Sequence, residues 1–107
     1  MADNLKLRQY FVKHNVPRIV DTLISDPLLL KGWRRFTDGL SIPDYAIHQL
    51  TTAHQSTAYV AYDLFSDTIR YWISKNTVVT VYDLVTILLG LNYTAVAGMK
   101  LSLIAIS

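Results

Sequence analysis

The chain has no cysteine among its 107 residues, so disulfides and thiolate metal sites are excluded and a secreted mini-scaffold is not expected. It has no glutamate either; all eight acids are aspartates, residues that favour helix caps and turns over helix interiors. Charge is scarce, at 17% of residues against about 25% in ordinary soluble domains. No run of alternating apolar and polar residues is long enough for a sheet, and no repeat or low-complexity tract is present. Long hydrophobic runs are missing too. The longest uncharged stretch, 84–99, is broken by Gly90, Asn92 and Thr94 and falls short of the ~18 apolar residues of a membrane span. The opening MADNLKLRQY lacks a continuous apolar core and a small-residue cleavage pattern, so a cytoplasmic location is expected.

What the chain does have is apolar residues, 51% of the total, in a length that supports one domain with one core. A small domain has limited interior, so part of this surface is expected to meet another protein. The formal charge of +2 is too small and too scattered for a nucleic-acid stripe.

The segment 80–91, TVYDLVTILLGL, organises the rest. Val81, Leu84, Val85 and Leu88 fall at i, i+3, i+4 and i+7, a helical face. Ile87, Leu89 and Leu91 predict burial on further sides. Thr80 and Asp83 form a capping-box pattern, and Gly90 is the expected left-handed stop.

Reading in order, residues 4–14 suit either a helix showing Leu7, Tyr10, Phe11 and His14 on one face, or an arm crossing the core. Asn15-Val16-Pro17 starts a helix with Ile19, Val20, Leu23 and Ile24 inward. Asp26-Pro27 stops it and caps a short turn at 28–31. Gly32-Trp33-Arg34-Arg35-Phe36 opens the next helix, with Trp33 and Phe36 inward, Arg34 and Arg35 outward, and Gly39 closing it. Ser41-Ile42-Pro43-Asp44 reads as a second capping box. Its helix buries Ile47 and Leu50 and shows Asp44, Tyr45 and His48 to solvent. Residues 51–57 read as a loop, and 58–74 as the longest helix, with Ala61, Phe65, Ile69 and Trp72 inward. After the 80–91 helix, Asn92 or Thr94 caps a last helix carrying Val96, Met99, Leu101 and Leu103. The expectation is an all-α, six-helix antiparallel bundle, with 1–14 as an N-terminal arm or extra helix and 15–107 as the domain.

No catalytic or cofactor constellation emerges. His14, His48 and His54 lack metal-ligand spacing, and no serine or aspartate sits in a nucleophile-elbow or phosphate-loop context. Neither an enzyme nor a small-molecule site is expected. Asn92-Tyr93-Thr94 matches a glycosylation sequon but reads as a cap. Trp33 and Trp72 lie on apolar stripes and read as core. Tyr45, Tyr59, Tyr62, Tyr82 and Tyr93 are candidate contact points, because tyrosine suits surfaces that are wet when free and dry in a complex.

The ordered anchors resemble those of death domains. These are the proline-led helix with Ile19 and Leu23, Asp26-Pro27, Gly32-Trp33-Arg34-Arg35-Phe36, Ser41-x-x-Asp44, Trp72 ending the fourth helix, and Thr80-Val81-Tyr82-Asp83-Leu84-Val85. Within death domains they are similar to the Pelle and interleukin-1-receptor-associated kinase group, over nearly the whole chain. The resemblance implies a bundle of Greek-key type and a non-catalytic adaptor that pairs with itself or other death-domain proteins, recruiting kinases or proteases. It also implies two unlike surfaces. Arg18, Asp21 and Arg70 would lie on the first and fourth helices, and Arg34, Arg35, Asp38 and Asp44 at the corner between the second and third, with Tyr45 and His48 beside them. Unlike patches on one molecule build open chains. The alternative reading is a small helical nucleic-acid-binding domain, suggested by the basic Trp33-Arg34-Arg35 helix start.

Overall fold

A computed structural model describes residues 9–53 and 61–101 of the chain. Among the described residues the chain is helical. A 3-10 turn, Val12–His14, leads into α1 (Val16–Ile24), α2 (Pro27–Lys31), α3 (Trp33–Gly39), α4 (Asp44–Ala53), α5 (Ala61–Lys75), α6 (Val81–Gly90) and α7 (Val96–Leu101), the last wound wide in the π fashion. None of them is long and apolar enough to cross a membrane.

Pro17 sits in the first turn of α1, where its missing amide costs no helical bond, and Ile19, Val20 and Leu23 are buried behind it. The expected turn at 28–31 is a helix of its own. Asp26 is buried, and its carboxylate accepts from the amides of Leu28 at 2.9 Å and Leu29 at 3.3 Å, so α2 starts afresh after Pro27 and the bundle has one element more than the sequence suggested. In α6 all four residues of the predicted stripe are buried. Its capping box is formed: the Thr80 amide donates to Asp83 Oδ2 at 2.9 Å and the Asp83 amide to Thr80 Oγ1 at 3.3 Å. Burial of α6 on further sides is partial, since Ile87 and Leu91 are half-buried and Leu89 is exposed.

Gly39 and Gly90 are the last residues of their helices, as expected, but neither takes the left-handed position. Gly90 is right-handed and helical; the left-handed residue is Asn92, at φ 70°. There the Tyr93 amide donates back to the Leu88 carbonyl and the Asn92 amide to Leu89, a Schellman closure. Asn92 therefore ends α6 and does not cap the last helix. Ser41, at φ 60°, plays the same part after α3: the Ile42 amide donates to the Thr37 carbonyl and the Ser41 amide to Asp38. The expected Ser41 capping box is thus replaced by a C-terminal closure, and the Pro43 carbonyl accepts from Ala46 and Ile47 to begin α4. Gly39 lies close under α6: a Cβ there would stand 2.6 Å from Leu91 Cδ1, so that side chain would have to turn aside.

In the described part of the N-terminal segment Val12, fully buried in the 3-10 turn, is the core residue, while Phe11 and His14, expected on one helical face with Tyr10, are exposed. The Val12 amide donates to the Val79 carbonyl at 3.1 Å and the Val81 amide to the Tyr10 carbonyl at 2.8 Å, which stitches this segment to the entry of α6. Residues 51–53 extend α4 where a loop was expected. Leu7, His54, Ala58, Tyr59 and Leu103 lie outside the described residues.

α1 packs along α5 and against α7, and α3 meets α6, which pairs helices distant in sequence; α4 meets α5 and α6 meets α7 as neighbours in the chain. Phe36 of α3 and Phe65 of α5 stack at the centre, with centroids 5.8 Å apart. Trp72 is buried as expected, whereas Trp33 is half-buried. The Trp33 indole N–H reaches the fully buried Thr68 hydroxyl at 2.9 Å, and that hydroxyl donates to the Leu64 carbonyl at 2.7 Å. A buried polar group in the long helix is thereby satisfied twice.

Candidate functional site

The charged residues singled out in the sequence fall on two pairs of helices. Arg18 and Asp21 are exposed on α1, and Arg70 is exposed on α5, the helix against which α1 packs. Arg70 Nε donates to Ser66 Oγ at 3.3 Å, which holds its guanidinium along the helix surface. The second set gathers at the α3–α4 corner. Arg34 Nη2 lies 3.2 Å from Asp44 Oδ1, joining the two helices across the turn, and both side chains are largely exposed. Arg35 stands over the Tyr93 ring at 5.5 Å, a cation–π contact with the α6–α7 junction. Asp21, Asp38 and His48 are exposed and make no ion pair among the described residues.

The corner owes its shape to local chemistry. Left-handed Ser41 reverses the chain after α3, and Pro43 directs α4 away. Gly32 opens α3 with room for the Tyr93 hydroxyl, which a Cβ would strike. Tyr93 is consequently buried and is not a contact tyrosine, while Tyr62 and Tyr82 are half-buried. Of the described candidates only Tyr45 stands well out, 64% exposed.

Beside this corner lies a cleft of about 180 Å³ that the sequence did not announce. Leu40, Ile42 and Trp72, all buried, form its floor with Pro43, and Ser41, Tyr45, Tyr71, Lys75 and Asn76 its rim. The Tyr45 and Tyr71 hydroxyls are 3.3 Å apart. Their hydrogen bond, with burial and then the charge of Tyr45 adding to it, raises Tyr71 above the ordinary phenol value of 10.0. Lys75 Nζ lies 5.9 Å from the Tyr71 ring centroid and has no acidic partner among the described residues. Asn76 Nδ2 donates to the Trp72 carbonyl at 3.1 Å, fixing the amide. Tyr71 and Lys75 were missed because only the inward stripe of the 58–74 helix was singled out and Lys75 was taken to lie in the turn beyond it, whereas the helix runs to Lys75; their i, i+4 spacing beside Trp72 was the available signal.

No known family model, curated protein or solved structure matches this chain. The geometry must speak for itself. Among the described residues no cluster of three or more histidines or acids is placed to hold a metal ion. Among the described residues the surface offers two charged helix pairs and a small aromatic cleft.

Proposed function

We propose that this domain is a non-catalytic protein–protein interaction module of the death-domain type, assembling with itself and with other death-domain proteins in intracellular signalling of the innate-immune or apoptotic kind, and recruiting a kinase or other effector. The observation that carries the reading is the non-sequential helix pairing, α1 with α5 and α7 and α3 with α6. A Greek-key bundle pairs helices this way, whereas an up-and-down bundle pairs sequence neighbours. One set, on α1 and α5, is then available to meet the other, at the α3–α4 corner of the next molecule. Such a contact is heterologous and grows into an open chain.

The Arg34–Asp44 pair sharpens the test. Exposed ion pairs contribute about 0–1 kcal/mol, so breaking this one leaves the fold standing. Sedimentation velocity over a wide concentration range should show large species at low salt that dissolve at high salt. Arg35→Glu and Asp38→Lys should suppress them without changing helicity. Exchanging the corner charges, Arg34→Asp with Asp44→Arg, restores the internal pair but presents a different surface, and should leave assembly impaired. A chain that stays monomeric at every concentration and salt would sink self-assembly, and full recovery in the exchanged variant would reduce the pair to a brace.

A further inference from the structure

The cleft beside the α3–α4 corner combines features that the charged surfaces do not explain. Its volume of about 180 Å³ exceeds the ~150 Å³ of an apolar cavity able to take benzene, so a side chain of leucine or phenylalanine size fits. Its floor is apolar, and its rim carries groups with unused hydrogen-bonding capacity. In the tyrosine pair one hydroxyl donates to the other, which leaves one phenolic proton to offer outward. The Ser41 hydroxyl makes no bond among the described residues, and Lys75 contributes a cation without an acid. Three donors, one of them charged, therefore surround an apolar floor.

Ser41 takes φ 60° to close α3, as Asn92 takes φ 70° to close α6. Here glycine would close α3 more cheaply, and serine adds a hydroxyl at the cleft edge.

From this we infer that the cleft is a docking site for a segment of a partner protein bearing a bulky apolar side chain next to a carboxylate. The apolar side chain rests on Leu40, Ile42 and Trp72, and the carboxylate accepts from Lys75, the free phenolic proton and Ser41. The donor set selects the partner: all three rim groups can donate to an anion, and the only charge among them is positive. The inference extends the reading of this corner as an interface but does not require self-association. Peptide binding is measured on dilute, monomeric protein, so failure here and failure of assembly are distinguishable.

The test uses two capped peptides, acetyl-Gly-Ser-Leu-Asp-Gly-amide and its Asn-for-Asp counterpart, titrated against the full chain by amide-resolved NMR. Saturable shifts confined to 40–45 and 71–76, with the acid binding at least fivefold more tightly, are expected. Lys75→Gln should abolish the acid-over-amide preference while leaving the residual apolar binding. Ser41→Gly, which keeps the turn, should weaken the acidic peptide alone. Equal affinity for both peptides, an unchanged preference in Lys75→Gln, or shifts centred on other residues would overturn the inference. So would the absence of saturable binding by the acidic peptide.

Discussion

Replacing Thr68 by valine removes one oxygen from the interior and little else. Valine has nearly the same shape and the same β-branching, so helix propensity is almost unchanged. The loss is the acceptor for the Trp33 indole N–H at 2.9 Å, since the Leu64 carbonyl keeps its place in the helix. An orphaned buried donor costs about 1–3 kcal/mol, and the half-burial of Trp33 places this case in the lower part of that range, about 1–2 kcal/mol. In a domain of this size each kcal/mol moves Tm by about 4–8 °C, so a fall of about 4–16 °C is expected. Thr68→Ser keeps the hydroxyl and loses a methyl group, at about 1 kcal/mol, through a different cause. Urea denaturation followed by circular dichroism separates the two when the cycle is closed with Trp33→Phe. Without an indole N–H, Thr68→Val should become neutral or stabilising, whereas Thr68→Ser should cost what it did before. An unchanged cost of Thr68→Val in the Trp33→Phe background would refute the hydrogen-bond account.

Three further perturbations probe the corner and the cleft. Gly32→Ala should cost about 1–3 kcal/mol by overpacking against the Tyr93 hydroxyl, and Tyr93→Phe in the same chain should recover part of it; chemical denaturation of the four variants decides, and absence of rescue would break the argument. Ser41→Gly should stabilise the fold by about 1 kcal/mol, because glycine adopts φ 60° without the Cβ penalty; a lower denaturation midpoint would mean that serine is held there by more than the turn. Absorbance titration should show Tyr71 ionising above 10.0 and returning toward it in Tyr45→Phe, which removes the hydrogen bond and the neighbouring charge. A phenol whose folded value is raised contributes stability that is complete below 10.0 and lost as pH climbs through the folded value, so Tyr45→Phe should also flatten the alkaline fall in stability.

The sequence alone determined the local events. The stripe Val81, Leu84, Val85 and Leu88, the Thr80–Asp83 capping box, the proline at the start of α1 and the outward Arg34 and Arg35 each follow from spacing within a turn or two of helix. Amide satisfaction and apolar periodicity are short-range demands, and they can be met or refused inside one segment. Helix ends were less legible. Glycine was the expected stop twice, yet Asn92 and Ser41 take the left-handed positions, while Gly39 lies where Leu91 approaches it closely. A glycine can answer either to backbone conformation or to a neighbour's proximity, and only the packed neighbour distinguishes them. The candidate site was divided along the same line. That Arg34, Asp44 and Tyr45 face solvent could be read from their own helices; that Arg34 meets Asp44, that Tyr45 meets Tyr71, and that a cleft opens between them could not. Those pairings join residues 10 and 26 positions apart, and their geometry is fixed by how α3, α4 and α5 pack, an outcome of the whole core.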